Sequence, residues 1–315
     1  MTSGGAVGRP TMSLTARVAA AVIGSPESLA YDRTALDLCI RRAALLTCEG
    51  QRQGREDYLA RAAEILRAWF ADPATAMHPT FRYAQWPGEG EPSYWGLIDA
   101  RDLWIMPLVA ADLHRAGALP PEDLAALRAW ADALFDDITG HKPGRAAYMA
   151  TNNIGTFCHL LLASLALFSE RWRDAADLLN AAPLRFAAAC GPDNLPDGET
   201  GRAKPLHYCL FDLAGWFCLA GLGRAAGVDL WSYEGAEGQS LCAMFASVDG
   251  ARDTFADYLE TAPEKDARIE RLMRMMPEDA AGRAAPGGMN PIAGAGWQNH
   301  ADEGLPPLWP EFRPF

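Results

Sequence analysis

Apolar residues that recur at the spacing of an α-helix dominate this chain. One stretch of this kind covers residues 33–48, and a second covers residues 56–70, where Asp72-Pro73 ends it. The same spacing predicts further helices over 99–116, 120–139, 151–168, 172–190, 206–227, 240–248 and 251–276. The sequence holds no alternating run typical of a strand and no Asn-Gly hairpin signal. We therefore predict an all-α protein.

Helices joined by short connections favour helical hairpins that stack side by side. Two architectures fit this pattern: an open solenoid, and an α/α toroid whose inner helices surround a central cleft. A solenoid would show a strict repeat of roughly 34 or 45 residues, and this sequence shows none. We expect an incomplete toroid over residues 34–315, preceded by a poorly ordered N-terminal segment over residues 1–33.

Charge and motif content exclude several classes of function. The net charge is -12 and the pI is near 5.0, without the dense Lys/Arg run of a nucleic-acid-binding protein. The six histidines show no HxxxH or HxH spacing, and glycine-rich phosphate loops and the GxSxG motif are absent. The seven cysteines form no CxxC pair, so we interpret them as small buried residues. We predict neither a metal nor a cofactor.

The N-terminal region carries one apolar segment, Val18–Ile23, which is too short for a convincing signal-peptide core. No run of residues is long and apolar enough to indicate a bilayer span. We therefore predict a chain without membrane insertion and without a readable export signal, although a leader missing from the sequence would leave the same pattern. The residue pattern does not indicate an oligomeric state.

A long loop over residues 78–96 is rich in proline and glycine, yet it carries five aromatic residues. These are Phe81, Tyr83, Trp86, Tyr94 and Trp95. A plain linker does not concentrate aromatic side chains, and long ordered loops in compact domains tend to be functional. The loop is a candidate binding region, and packing against the rim of the fold is the alternative.

Two polar segments stand next to apolar helices. Asn152-Asn153 begins the helix over 151–168, where an asparagine can also serve simply as an N-cap. The loop that carries Glu199, Arg202 and Lys204 leads into His207-Tyr208 at the start of the next apolar helix. Two cations beside a His-Tyr pair could hold a carboxylate, and a solvated loop with an inward-packing tyrosine is the alternative.

Together with the aromatic loop, these segments resemble the alginate lyase superfamily. The resemblance covers roughly residues 35–315 and rests on motifs that occur in the family's order. They are DPATAMHPTFRYAQ at 72–85, GLIDARDLW at 96–104, TNNIGTF at 151–157, RAKPLHY at 202–208, GVDLWSY at 227–233 and the closing LWPEF at 308–312. The resemblance implies an α/α toroid that cleaves acidic polysaccharides by β-elimination, and its relatives are usually periplasmic or secreted.

By the same resemblance, Asn153 would hydrogen-bond the substrate carboxylate, with Arg202 contributing charge nearby. Tyr208 would be the catalytic acid and, for some sugar stereochemistries, also the base, with Arg202 and Lys204 as its cationic surroundings. The remaining expected substrate-binding residues are Asn152, Tyr83, Gln85, Trp86 and Trp95. Asp99 is a weaker candidate, because it can also serve simply to start its helix.

One position departs from the family pattern. Relatives typically read Asn-Asn-His-Gly-Thr-Trp, and here the histidine's place holds Ile154, which can neither accept a proton nor donate a hydrogen bond. His159 lies about 140° further around the helix and is not expected to substitute. His207, which is adjacent to Tyr208, is the better candidate and the fourth predicted catalytic residue.

Ile154 leaves several interpretations open. Tyr208 could act as both base and acid, the site could be rearranged for another polyuronate such as glucuronan, or the chain could bind acidic polysaccharide without cleaving it. A helical scaffold with no sugar function would require the motif matches to be accidental.

Overall fold

A computed structural model describes residues 26–85, 90–255 and 262–277, with side chains described from residue 35 and, in the last segment, from residue 265. In these ranges the regular structure is helical, apart from one isolated bridge between Cys190 and Pro196. The all-α prediction is therefore confirmed. The predicted boundary at residue 34 stays a prediction, and residues 1–25 and the closing LWPEF motif lie outside the described residues.

The described α-helices are numbered here in chain order. They are α1 (Pro26–Gln53), α2 (Glu56–Leu66), α3 (Ile105–Arg115), α4 (Pro121–Gly140), α5 (Lys142–Met149), α6 (Asn153–Phe168), α7 (Trp172–Ala189), α8 (Asp197–Thr200), α9 (Pro205–Ala225), α10 (Leu241–Ala251) and α11 (Ala262–Met275). A π-helical turn (Arg67–Ala71) follows α2, and a 3-10 helix (Trp95–Ala100) precedes α3.

The described residues form two compact units. The first contains the chain up to Tyr148 together with Ser164–Trp172. In it α1 packs against α2 and α3, and α4 packs against α3 and the π-helical turn. Trp130 of α4 anchors this packing, because its ring meets Phe70 edge-on at 4.7 Å and its indole N–H donates to the Met77 carbonyl at 2.6 Å.

The second unit contains Met149–Ala163 and the described chain from Arg173 onward. Its central element is α9, which is buried on all sides along most of its length and packs against α8, α10 and α11. By length and composition alone α9 could cross a bilayer, contrary to the expectation that no run of residues would be long and apolar enough. However, 89% of the most apolar stretch of α9 is buried within the protein. Such burial is typical of a core helix.

Most differences from the predicted helices lie at their ends. The helix expected from residue 99 begins at Ile105, because the 3-10 helix takes up the residues before it. The helix expected over 251–276 is wrong at its start, because Ala251 ends α10 and residues 252–255 form a turn; after the residues that are not described, α11 begins at Ala262. Helix α5 was not predicted, since its Lys-Pro-Gly start suggests a turn.

Candidate active site

The first turn of α6 begins with a polar cap. The Asn152 side-chain oxygen accepts a hydrogen bond from the Ile154 N–H at 3.2 Å, which confirms the capping expected at this position. The turn is tight at Gly155, where a Cβ would lie 1.8 Å from the Ala150 carbonyl oxygen. This geometry buries Asn153, whose exposed fraction is 3%.

Glu199 holds Asn153 from the short helix α8. One carboxylate oxygen, Oε1, accepts both the backbone N–H and the side-chain Nδ2–H of Asn153, each at 2.6 Å. The approach requires glycine at 198, because a Cβ there would lie 2.9 Å from the Thr151 carbonyl oxygen. Glu199 is fully buried, so the amide of Asn153 is fixed by a buried charge-assisted bond.

Arg202 joins this pair to the start of α9. Its guanidinium lies 3.6 Å from the Oε2 atom of Glu199 and stacks over the Tyr208 ring, 4.0 Å from the ring centroid. The Arg202 side chain is 39% exposed, and Tyr208 is half-buried. Lys204 is the N-cap residue of α9. The Arg202 guanidinium is therefore accessible from solvent while it contacts both the buried acid Glu199 and the phenol ring of Tyr208.

His207 precedes Tyr208 in the first turn of α9 and meets its ring edge-on at 5.1 Å. Arg268 of α11 also contacts His207, and Arg268 is buried with an exposed fraction of 8%. Arg268 donates to the His207 carbonyl at 3.0 Å, and its second terminal nitrogen lies 3.3 Å from His207 Nδ1.

A second buried acid, Asp212, lies one turn further along α9. Burial and then the charge of Glu199 together raise the pKa of Asp212 to about 8, against hydrogen bonds from Thr156 and Trp216. Burial also raises the pKa of Glu199, against the bonds from Asn153 and the charge of Arg202. Since Glu199 has these donors, we assign the negative charge of the pair to Glu199 and the proton to Asp212 at neutral pH.

The second unit thus brings together all four predicted catalytic residues. Asn153 and Arg202 both contact Glu199, and Arg202 and His207 both contact Tyr208. Asn152 adjoins the cluster through the cap of α6. The described side chains contain no group of three or more His, Cys, Asp or Glu residues that could hold a metal ion.

Of the predicted sugar-contacting residues of the aromatic loop, Tyr83, Gln85 and Trp95 are described, and they belong to the first unit. Gln85 has a left-handed backbone conformation, with φ of 54°, and its side-chain Nε2–H donates to Asp99 Oδ1 at 2.8 Å. Trp95 is 61% exposed and meets Tyr94 edge-on, and Tyr83 is half-buried. Trp86 lies outside the described residues.

The position of the missing histidine is occupied by a half-buried Ile154. His159 does not replace it, because His159 is fully buried and its Nε2 bonds the Leu178 carbonyl at 2.9 Å. Burial and the charge of Arg185 lower the pKa of His159 to about 4. His207 is therefore the histidine of this unit that adjoins Tyr208.

Three residues of the cluster had no predicted role: Glu199, Asp212 and Arg268. Asp212 gives a signal in the sequence, because it is the single charged residue of the otherwise apolar run over 206–223. Glu199 lies among several polar loop residues, and Arg268 lies in a helix rich in charge, so nothing local distinguishes either of them.

Comparisons with known proteins agree on one family. The alginate lyase family profile matches residues 17–250. A crystal structure of an alginate lyase from Bacteroides ovatus superposes with a TM-score of 0.73 at 21% identity, over 79% of this chain and 68% of that one. This likeness confirms the predicted fold class, the all-α toroid of that family. No curated protein sequence matches the chain. Because the profile match spans most of the sequence, the chain belongs to the alginate lyase family of polysaccharide lyases.

Proposed function

We propose that this protein cleaves a polyuronate by β-elimination, with Tyr208 as acid and base and with Asn153 and Arg202 neutralising the substrate carboxylate. The reaction removes the proton on C5 of a uronic acid, forms a C4–C5 double bond and expels the glycosidic oxygen on C4. Neutralising the carboxylate makes the C5 proton easier to remove, and an acid must protonate the departing oxygen.

The observation that carries this proposal is the stacking of Arg202 on Tyr208. A guanidinium 4.0 Å from the ring centroid attracts the negative charge that the tyrosine oxygen holds when it acts as a base. The same guanidinium is partly exposed, so it can also face an incoming carboxylate. One arginine would then serve both the base and the group that activates the proton.

Asn153 suits the second role for a related reason. A side-chain amide has two N–H donors, and in Asn153 Nδ2 donates to Glu199 at 2.6 Å. The bond fixes the amide plane, and the other N–H can be given to the substrate. Lys204 and Asn152 remain proposed substrate-binding residues of this unit. Tyr83, Gln85, Trp86 and Trp95 of the aromatic loop remain predicted to bind sugar.

The absence of a histidine at position 154 favours one stereochemistry. In 4-linked mannuronate and glucuronate the C5 hydrogen and the C4 oxygen lie on the same face of the sugar ring. One tyrosine can therefore take the C5 proton and deliver it to the departing C4 oxygen. In guluronate they lie on opposite faces, and a second group must act as the base. We therefore propose polymannuronate or glucuronan as the substrate class.

A substrate panel tests this proposal. Polymannuronate, glucuronan and polyguluronate are incubated with the protein, and the absorbance of the new double bond is followed. We expect product from at least one of the first two polymers and none from polyguluronate. Cleavage of polyguluronate alone would contradict the assignment of Tyr208 as sole acid and base.

Because such polymers are too large to cross a membrane unaided, we propose that the protein acts in the periplasm or outside the cell.

Ile154 also favours a second candidate function, the binding of acidic polysaccharide without cleavage. An apolar residue at the histidine's place removes one group that could stabilise the carboxylate. In this case the three polymers give no double-bond signal, while at least one binds in calorimetry. The Ile154→His variant then separates the two functions: it gains measurable lyase activity if the missing histidine is what silences the site.

A further inference from the structure

Arg268 reaches the cluster from a part of the chain that the family profile does not cover. The match ends at residue 250, whereas α11 runs over Ala262–Met275. The helix is fixed by buried Ile269 and Leu272 and by an ion pair between Asp266 and Arg252 at 3.1 Å. Arg268 is therefore a buried cation that reaches the cluster from outside the range of the profile match.

Two hydrogen bonds from Arg268 determine the tautomer of His207. One terminal nitrogen of Arg268 donates to the His207 carbonyl at 3.0 Å, and the other donates to the ring nitrogen Nδ1 at 3.3 Å. A guanidinium has donors only and keeps its charge, so Nδ1 must be the acceptor. An imidazole whose Nδ1 accepts is neutral and carries its proton on Nε2.

The ring is also oriented by its other neighbours. Tyr208 meets the imidazole edge-on at 5.1 Å, and Phe211 lies nearly parallel to it with ring centroids 6.4 Å apart. Arg268 comes from α11, whereas Tyr208 and Phe211 both come from α9. The tautomer and the plane of the imidazole are thus set by residues on two helices.

We propose that Arg268 is a positioning residue that holds His207 as an Nε2–H donor for the carboxylate of the acidic sugar. His207 then supplies the imidazole N–H that residue 154 cannot supply. The role in sugar binding rests on the proposed function, whereas the tautomer of His207 does not depend on it.

Nitrogen NMR of the protein with labelled histidine tests the tautomer directly. The chain has six histidines, and a His207→Gln variant identifies the signal of His207. We expect the proton on Nε2 and a bare Nδ1 in the native protein. In Arg268→Met, which lacks any donor, the Nδ1-protonated form should become populated; Arg268→Lys keeps a donor and should stay closer to native. A native His207 protonated on Nδ1 would overturn the inference.

Activity on the cleaved polymer gives the second measurement. Arg268→Met should lower kcat/KM by about tenfold or more, because the Nε2–H of a displaced His207 no longer hydrogen-bonds the substrate carboxylate. Arg274→Met is the matched control, since Arg274 lies on the same helix and is exposed, and it should be unchanged. Native kcat/KM in Arg268→Met would overturn the role in sugar binding. If no polymer is cleaved, the proposed function fails, and the NMR result still decides whether Arg268 positions His207. If Arg268→Met does not fold, the spectra of the native protein and of Arg268→Lys decide that question.

Discussion

Each of the two units buries acidic residues, but the two groups of acids are compensated differently. In the first unit Asp102 lies 3.9 Å from Arg101 and 4.0 Å from Arg41, and Arg101 also reaches Asp37 at 3.1 Å. Both arginines are buried. In the second unit Glu199 and Asp212 are fully buried, and Arg202, the cation that contacts Glu199, is 39% exposed.

The two groups of acids differ in the exposure of their cations. Where acids and arginines are buried together, the charges satisfy one another, and removing a partner leaves an uncompensated buried charge. Where the cation is partly exposed, it can interact with a ligand, and one of the two acids keeps its proton instead. In the first unit Asp112 also has a raised pKa, of about 6, because of burial and against the charge of Arg115. The second unit differs in holding two buried acids that interact, since the charge of Glu199 raises the pKa of Asp212 in addition to burial.

The largest expected effect is on stability in the first unit. Arg101→Met leaves Asp102 and Asp37 without their shared partner, and we expect a loss of about 3–5 kcal/mol in the free energy of unfolding. Arg202→Met removes a partly exposed cation 3.6 Å from Glu199, which keeps its two hydrogen bonds from Asn153, so the loss should be smaller, about 1 kcal/mol. Denaturant unfolding of the two variants checks this. Equal losses would show that the two networks do not differ.

A second prediction concerns the pH dependence of stability. The pKa of Asp212 is raised to about 8 in the folded protein, so the folded state binds a proton that the unfolded state releases above its ordinary pKa. The stability from this group is complete below about pH 4 and is lost as the pH rises to about 8.

Asp212→Asn should remove that dependence. The free energy of unfolding of the variant, relative to that of the native protein, should increase by up to about 1.4 kcal/mol for each unit of rising pH between about 4 and 8. Urea unfolding at a series of pH values measures the difference. A constant difference between the two proteins across the window would contradict the assignment of the proton to Asp212.

Glu199 allows a smaller and more specific test. Glu199→Gln keeps an oxygen that can accept both N–H groups of Asn153, whereas Glu199→Ala removes the acceptor. If the bonds orient Asn153, Glu199→Ala should lower kcat/KM by about tenfold to a hundredfold, and Glu199→Gln should retain most of the activity. Steady-state kinetics on the cleaved polymer distinguishes the two. Equal losses in both variants would assign the effect to the charge of Glu199 instead.

Much of the fold was predictable, because helical periodicity is a local property. The apolar stripes of α4, α7 and α9 predicted these helices to within about two residues, whereas α1 extends beyond the predicted range at both ends. Helix α5 could not be predicted in this way, since its start reads as a turn and its burial depends on tertiary packing.

The site was predictable only in part. Asn153, Arg202 and Tyr208 stand in motifs that resemble a family, so the residue pattern is enough to name them. Glu199 and Arg268 could not be named in this way, because their roles depend on contacts across 46 and 61 residues of sequence. Asp212 was detectable as a lone acid in an apolar helix, but its coupling to Glu199 required the fold.

The measurement that tests the central claim most directly is the double-bond assay on Tyr208→Phe. The variant removes the hydroxyl and keeps the ring that stacks with Arg202. Tyr233→Phe is the matched control, because this half-buried tyrosine lies in the same unit and outside the cluster. We expect Tyr208→Phe to lose nearly all activity on the polymer that the native protein cleaves, with unchanged stability, and Tyr233→Phe to retain it. Full activity in Tyr208→Phe would contradict the account.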